Sequence, residues 1–212
     1  MNLRSADLLS PLAASAIRVL TGGIVRTFPS LSDKQQVVFY ANHTSHLDFL
    51  LIWAALPTHL RAQLRPIASE RYWKSSAIRR YVSTHIFNAL LIDREMVNRA
   101  NNPLSRMQSA LDGGASLLLF PEGTRSRSGD ISDFKSGIHH LAAQNPALCF
   151  VPVFLENLFR ILPKGEILPL PLIANLYVGL PLTLAPEETR QAFLDRLKKE
   201  LMNLMPTNKT DR

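Results

Sequence analysis

A chain of 212 residues, 46% hydrophobic and 19% charged, suits one domain with a full core, and its low charge density leaves apolar surface to spare for lipid. Its formal net charge of +7 draws it to anionic partners, whether nucleic acid, acidic phospholipid, phosphorylated substrate or acidic carrier protein, without choosing among them. The single cysteine, Cys149, excludes an internal disulfide, and six histidines without cysteine partners form no structural zinc pattern.

Residues 7–28 are apolar but broken by Pro11, Arg18, Gly22-Gly23 and Arg26, so they contain no bilayer-crossing span and no clean secretory signal. Leu9, Leu12, Ala13, Ile17, Leu20 and Ile24 share one helical face, with Ser15, Arg18 and Thr21 largely opposite. That pattern fits a helix in a membrane interface and, equally, one packed on the domain's own core. Residues 1–35 are therefore taken as an amphipathic, membrane-associating segment and 36–212 as the domain.

From residue 36, apolar runs alternate with helical segments. Strands are expected over 36–41, 64–68, 86–92, 115–120, 148–154 and 173–179. Helices are expected over 45–56, 69–81 and 103–112, and again after Phe134. Pro103 opens the third helix and Gly113-Gly114 closes it. Such alternation predicts an α/β fold with a mainly parallel central sheet flanked by helices. Residues 160–172, rich in Pro and Leu, predict an irregular connection. Pro186-Glu187-Glu188 opens a C-terminal helix striped by Phe193, Leu194, Leu197, Leu201 and Leu204. In its apolar run, Cys149 is expected to be buried and inert.

Two segments carry chemistry. Asn42-His43-Thr44-Ser45-His46-Leu47-Asp48 follows the first of these strands. A histidine acting on an alcohol needs a carboxylate to fix its tautomer and stabilise the imidazolium. Five residues apart on one helix, His43 and Asp48 would sit roughly 140° apart around the axis. They meet only if His43 lies in a loop and Asp48 in the following first turn. Ser45-x-x-Asp48 is also a capping box, so a purely capping Asp48 stays open; His46 ranks below His43 as a base. Phe120-Pro121-Glu122-Gly123-Thr124-Arg125-Ser126 follows a later strand. Its Arg125 suits a phosphate, and the simple alternative is a turn in which Glu122 pairs with Arg125.

Together, in this order, the two segments resemble the glycerolipid acyltransferase family, whose best-known members are the 1-acylglycerol-3-phosphate acyltransferases. Leu91-Ile92-Asp93-Arg94, Phe134-Lys135-Ser136-Gly137 and Val151-Pro152-Val153 look like further family blocks; the likeness spans about residues 36 to 155. The resemblance implies His43 as general base and Asp48 as its orienting partner. It implies an acceptor-binding loop of Glu122, Gly123, Thr124 and Arg125, with Lys135 also on the substrate and Arg94 and Arg125 on its phosphate. Pro152 would shape the acyl-donor side. One departure from the family pattern is Phe87-Asn88-Ala89, which stands where the family often has glycine before its apolar run.

What the resemblance implies about function is transfer of a fatty acyl group from acyl-CoA or acyl-carrier protein to the free hydroxyl of 1-acylglycerol 3-phosphate. No metal or cofactor is expected beyond the donor substrate. The expected partners are a membrane lipid surface, a lysophospholipid acceptor and the acyl donor. The expected location is peripheral or monotopic on a membrane's cytoplasmic face. A lyso-aminolipid, another lysophospholipid or glycerol 3-phosphate as acceptor, or a non-catalytic lipid-binding role, remain rival readings. Nucleic acid is disfavoured, because the few aromatics are not interleaved with the basic residues. The basic stretch holding Arg61, Arg65, Arg71, Lys74, Arg79 and Arg80, with Tyr72 and Trp73, could meet anionic headgroups, coenzyme A phosphates or an acidic carrier.

Overall fold

The apolar runs become strands of one seven-stranded sheet. A computed structural model describes residues 5–32, 35–45, 47–93, 102–126, 128–157 and 174–206. In chain order the elements begin α1 Ser5–Thr21, β1 Ile24–Thr27, β2 Val37–Ala41, α2 Asp48–Ala55, α3 Thr58–Gln63, β3 Leu64–Ser69, α4 Glu70–Trp73 and α5 Ala77–Tyr81. A π-helical turn, Val82–Ile86, follows, then β4 Leu90–Ile92, α6 Pro103–Asp112, β5 Ser116–Leu119, α7 Gly137–Gln144, β6 Cys149–Glu156, β7 Asn175–Val178 and α8 Arg190–Met202. The spatial strand order is β1-β7-β6-β2-β5-β3-β4. Among the described strands, β6 and β7 pair antiparallel and the other neighbours are parallel.

Helices cover both faces, which is why β2 is apolar along its whole length. Val37, Phe39 and Ala41 enter a core with α1, α2 and Phe87, whereas Val38 and Tyr40 enter a second core with α6, α7 and α8. The α/β architecture with a mostly parallel sheet is thus the expected one, and Asn102 caps α6 by accepting from Leu104 N–H at 2.9 Å.

Several elements differ from expectation. The strand expected from residue 86 starts at Leu90, because the π turn runs to Ile86 and Asn88 turns the chain at φ 49°. The helix expected over 69–81 is two short ones: the Ser75 side chain bonds back to the Tyr72 carbonyl, and Ser76 is extended. At the N-terminus, Gly22 at φ 56° ends α1, so Ile24 starts an edge strand instead of extending the helical stripe. Ala13, Ala14 and Ile17 pack on the first core, and Arg18 Nε donates to the Ala54 carbonyl at 2.8 Å, but Leu12 and Val19 face solvent. The stripe is therefore divided between core and surface. Cys149 is half-buried and accepts from Gln35. The connection expected over 160–172 lies outside the described residues.

The C-terminal helix starts at Arg190, because Glu187 sits at φ 59° and Thr189 Oγ1 caps the helix on Ala192 N–H. Glu188 instead accepts from Arg196 Nε at 2.8 Å, Arg196 Nη2 at 2.6 Å and the Ala185 amide at 3.1 Å. The Arg196 hydrogen bonds hold its carboxyl below the usual range. A carboxyl lowered in the folded state adds stability above the unfolded value, about 4.3, and loses it as pH falls through the folded value. Glu188→Gln is expected to cost about 1 kcal/mol at neutral pH, some 2–4 °C in melting temperature. Thermal melts at descending pH should show the gap from the unmutated protein closing below about pH 4.

Candidate active site

Both chemical segments leave the C-terminal ends of adjacent parallel strands, β2 and β5, where α/β sheets bind ligands. Asn42 fixes the exit from β2: its side chain donates to the Leu155 carbonyl at 3.0 Å and accepts from the Leu155 amide at 2.8 Å, extending the ladder to β6. His43 then sits in the loop and Asp48 in the first residue of α2. Asp48 is fully buried. Its Oδ2 accepts from His43 Nδ1 at 2.8 Å, Thr44 N–H at 2.6 Å and Ser45 N–H at 2.9 Å.

The capping role and the orienting role that the spacing left open are thus one arrangement. Asp48 binds the loop amides ahead of its helix, and that bonding brings the loop's imidazole onto the same oxygen. A carboxylate oxygen only accepts, so Nδ1 carries the hydrogen and Nε2 the lone pair. The ring stacks on Phe120, centroids 4.1 Å apart and planes inclined by 17°.

The second segment grips the first. Phe120-Pro121-Glu122-Gly123 is a β-turn closed by Gly123 N–H to the Phe120 carbonyl at 3.0 Å. Gly123 has φ +77°, and a Cβ there would stand 2.7 Å from Lys135 Cε, so the turn needs glycine. Glu122, buried beneath it, accepts from the His43 amide at 2.8 Å through Oε1 and from the Ser132 amide at 2.9 Å through Oε2. Ser126 N–H donates to the His43 carbonyl at 2.7 Å. His43 is held at its amide, its carbonyl, its ring face and its Nδ1.

A cleft of about 540 Å³ opens beside it, with His43, Gly123, Thr124 and Arg125 on one side and Phe49, Leu50, Tyr72 and Trp73 among its apolar walls. Arg125 Nη1 is buried without a hydrogen-bond partner among the described residues. Arg125 also lines the cleft, where its planar guanidinium suits the paired oxygens of an anionic ligand.

The structure brings His43, Asp48, Gly123, Thr124 and Arg125 together. Two expected substrate contacts are placed otherwise. Glu122 spends both oxygens on backbone amides, so it neither pairs with Arg125 nor faces the cleft. Pro152 is buried within β6 against Gly179, away from the cleft lining. Lys135 lies over Gly123 and lines a neighbouring slot of about 150 Å³. Arg94 and His46 lie outside the described residues. The spacing did not reveal the Phe120 stack or the Ser126 amide, since their roles arise only where two loops meet.

An imidazole held in this way can take a proton from a hydroxyl, and an apolar cleft with one guanidinium admits an amphiphilic anion. Fold and site together define an α/β protein equipped for acid–base chemistry on such molecules. The sequence profile of the acyltransferase family matches residues 24–156, and the chain belongs to that family. It is 35% identical over 125 residues to the 1-acyl-sn-glycerol-3-phosphate acyltransferase alpha of Ovis aries, covering 58% of this chain and 41% of the relative. It is 28% identical over 188 residues to the 1-acyl-sn-glycerol-3-phosphate acyltransferase of Limnanthes douglasii, covering 81% and 60%. The chain thus spans about half the length of these relatives. The crystal structure of the 1-acyl-sn-glycerophosphate acyltransferase PlsC from Thermotoga maritima superposes with a TM-score of 0.74 at 20% identity, over 94% of this chain and 78% of that one. The two share the fold.

Proposed function

We propose that the chain transfers a fatty acyl group from acyl-CoA or acyl-carrier protein to the free hydroxyl of 1-acylglycerol 3-phosphate, giving phosphatidic acid. The observation that carries the proposal is the His43–Asp48 bond, with Nε2 unpartnered among the described residues, beside a cleft containing Arg125. His43 Nε2 takes the hydroxyl proton as that oxygen attacks the thioester carbonyl. The tetrahedral adduct collapses, the carbon–sulfur bond breaks, and the imidazolium returns its proton to the leaving thiolate. Asp48 steadies the imidazolium in between. The names of the relatives support the acceptor, and the apolar walls suit acyl chains.

The same proposal puts the protein on the cytoplasmic face of a membrane, held peripherally with the help of α1. No helix among the described residues is long and apolar enough to cross a bilayer.

Purified protein in mixed micelles, given labelled acyl-CoA or acyl-carrier protein and a panel of acceptors, should make phosphatidic acid from lysophosphatidic acid in preference to other products. Acylation of only a lyso-aminolipid or glycerol 3-phosphate would reassign the acceptor, and no transfer to any acceptor would leave a lipid-binding protein. Within the reading, Arg125→Ala is expected to raise KM for lysophosphatidic acid about 10- to 100-fold, the loss of a charge-assisted contact. KM for a monoacylglycerol without phosphate should stay near its unmutated value. Equal effects on both acceptors would remove the phosphate from Arg125.

A further inference from the structure

We propose that Phe120 is a positioning residue for acyl transfer: its ring face sets the plane of the His43 imidazole and attracts that imidazole more strongly once it carries the proton. The inference rests on the acyl-transfer reading and goes beyond it in giving the base a second support besides Asp48.

Asp48 alone does not orient the base. Its hydrogen bond at 2.8 Å fixes Nδ1, one point on the rim of the ring, and a ring held at one point can still swing about that bond. Nε2, on the far side of the ring, would sweep the largest arc. The Phe120 stack, with centroids 4.1 Å apart and planes inclined by 17°, blocks the swing on one side, because the two faces are in van der Waals contact. Edge and face are thus held by different residues, and a proton acceptor displaced on the order of 1 Å costs about 10² in rate.

The Phe120 ring is itself anchored. Phe120 follows β5 directly and opens the turn that Gly123 N–H closes on its carbonyl at 3.0 Å. Its side chain packs on the first core and lines both the cleft and the neighbouring slot. It stands between the two as a wall, so the imidazole meets a fixed surface.

The contact also depends on charge. A neutral imidazole on an aromatic face gains mainly dispersion. An imidazolium gains attraction to the ring quadrupole as well, and more where water is kept away. The His43 side chain is 23% exposed, so the charge formed when Nε2 takes the hydroxyl proton is only partly hydrated. Asp48 meets that charge at the ring's edge and Phe120 at its face. Because the added attraction arises only as the proton arrives, it lowers the barrier and leaves substrate binding unchanged. A plain apolar wall would act alike in both states.

The test replaces Phe120 by phenylalanines carrying one, two and three ring fluorines, which drain negative charge from the ring face at nearly constant shape. The single-turnover rate of transfer, which reads the chemical step, should fall stepwise along the series to about a tenth. The half-saturating concentrations of donor and acceptor should stay within about twofold. Phe120→Leu should slow the step about 10- to 30-fold, and Phe120→Tyr, which keeps the ring, should restore most of the rate. Proton NMR reads the geometry. The Phe120 ring current should shift the His43 ring protons upfield in the unmutated protein, and Phe120→Leu should move them back. The Nδ1 proton held by Asp48 should persist throughout the fluorinated series.

A flat rate across the fluorinated proteins overturns the inference and leaves acyl transfer standing. So does loss of the Nδ1 proton resonance in that series, which would assign the slower rate to the Asp48 bond. Raised half-saturating concentrations at an unchanged single-turnover rate would make Phe120 a substrate contact and overturn it too. If Phe120→Leu fails to fold, the fluorinated series decides. No transfer by the unmutated protein with any donor and acceptor would overturn the acyl-transfer reading, and this inference with it.

Discussion

Replacing His43 by alanine is expected to lower kcat for acyl transfer by about 10³-fold, within the usual range for a lost general base, while the protein still folds and still binds lipid. The side chain is partly exposed, and its loss frees no buried charge except through Asp48, which keeps its two backbone donors, Thr44 and Ser45. A rate near that of the unmutated protein would remove His43 from the chemistry.

Asp48 separates charge from shape. In Asp48→Asn the amide oxygen can take the Oδ2 position and accept the same three hydrogen bonds, with the NH2 group where Oδ1 now has no partner among the described residues. The loop then keeps its form, but the imidazolium loses its counter-charge. The expected result is a fall in kcat of about 10²- to 10³-fold, with a stability loss of about 1–2 kcal/mol for the buried, unpaired NH2. Asp48→Ala strands the buried amides of Thr44 and Ser45 as well, and should cost about 3–5 kcal/mol, visible as a shifted denaturant midpoint. Kinetics and melting on both variants distinguish the two roles; equal kcat losses scaled only by unfolding would reduce Asp48 to a cap.

What could be read from the residues depended on how local the physics was. The pairing of His43 with Asp48 was legible because the chemistry needs both groups, and a five-residue spacing allows only a loop-to-helix geometry. The central strands were legible because burial on both faces leaves continuous apolar runs such as Val37–Ala41. Strand β1 was not: its four residues are all exposed at a sheet edge, so no burial pattern marks them. The stripe on α1 could not tell core from lipid, and the structure divides it, with Ala13 and Ile17 inward and Leu12 outward. The backbone bonding of Glu122 was not legible for a related reason. A carboxylate beside a phosphate-seeking arginine looks like part of the binding loop, and only the meeting of two loops shows it bonded to backbone.

Glu122 therefore carries the most discriminating prediction. From its buried position its two oxygens accept from two backbone donors, the amides of His43 and Ser132, on separate segments. Glutamine offers one oxygen and one NH2, so whichever way it turns, one amide faces another donor. Glu122→Gln is expected to cost about 2–4 kcal/mol, the loss of one charge-assisted bond plus the repulsion of two donors. The freed His43 backbone should shift the ring from its stack on Phe120, and a displacement on the order of 1 Å costs about 10² in kcat. KM for the acceptor should change little, because the carboxylate does not line the cleft. A residue that touched the acceptor would give the opposite signature, a raised KM in a protein of unchanged stability. Urea midpoints and a kcat–KM split on the single variant decide between a strut under the catalytic loop and a hand on the substrate.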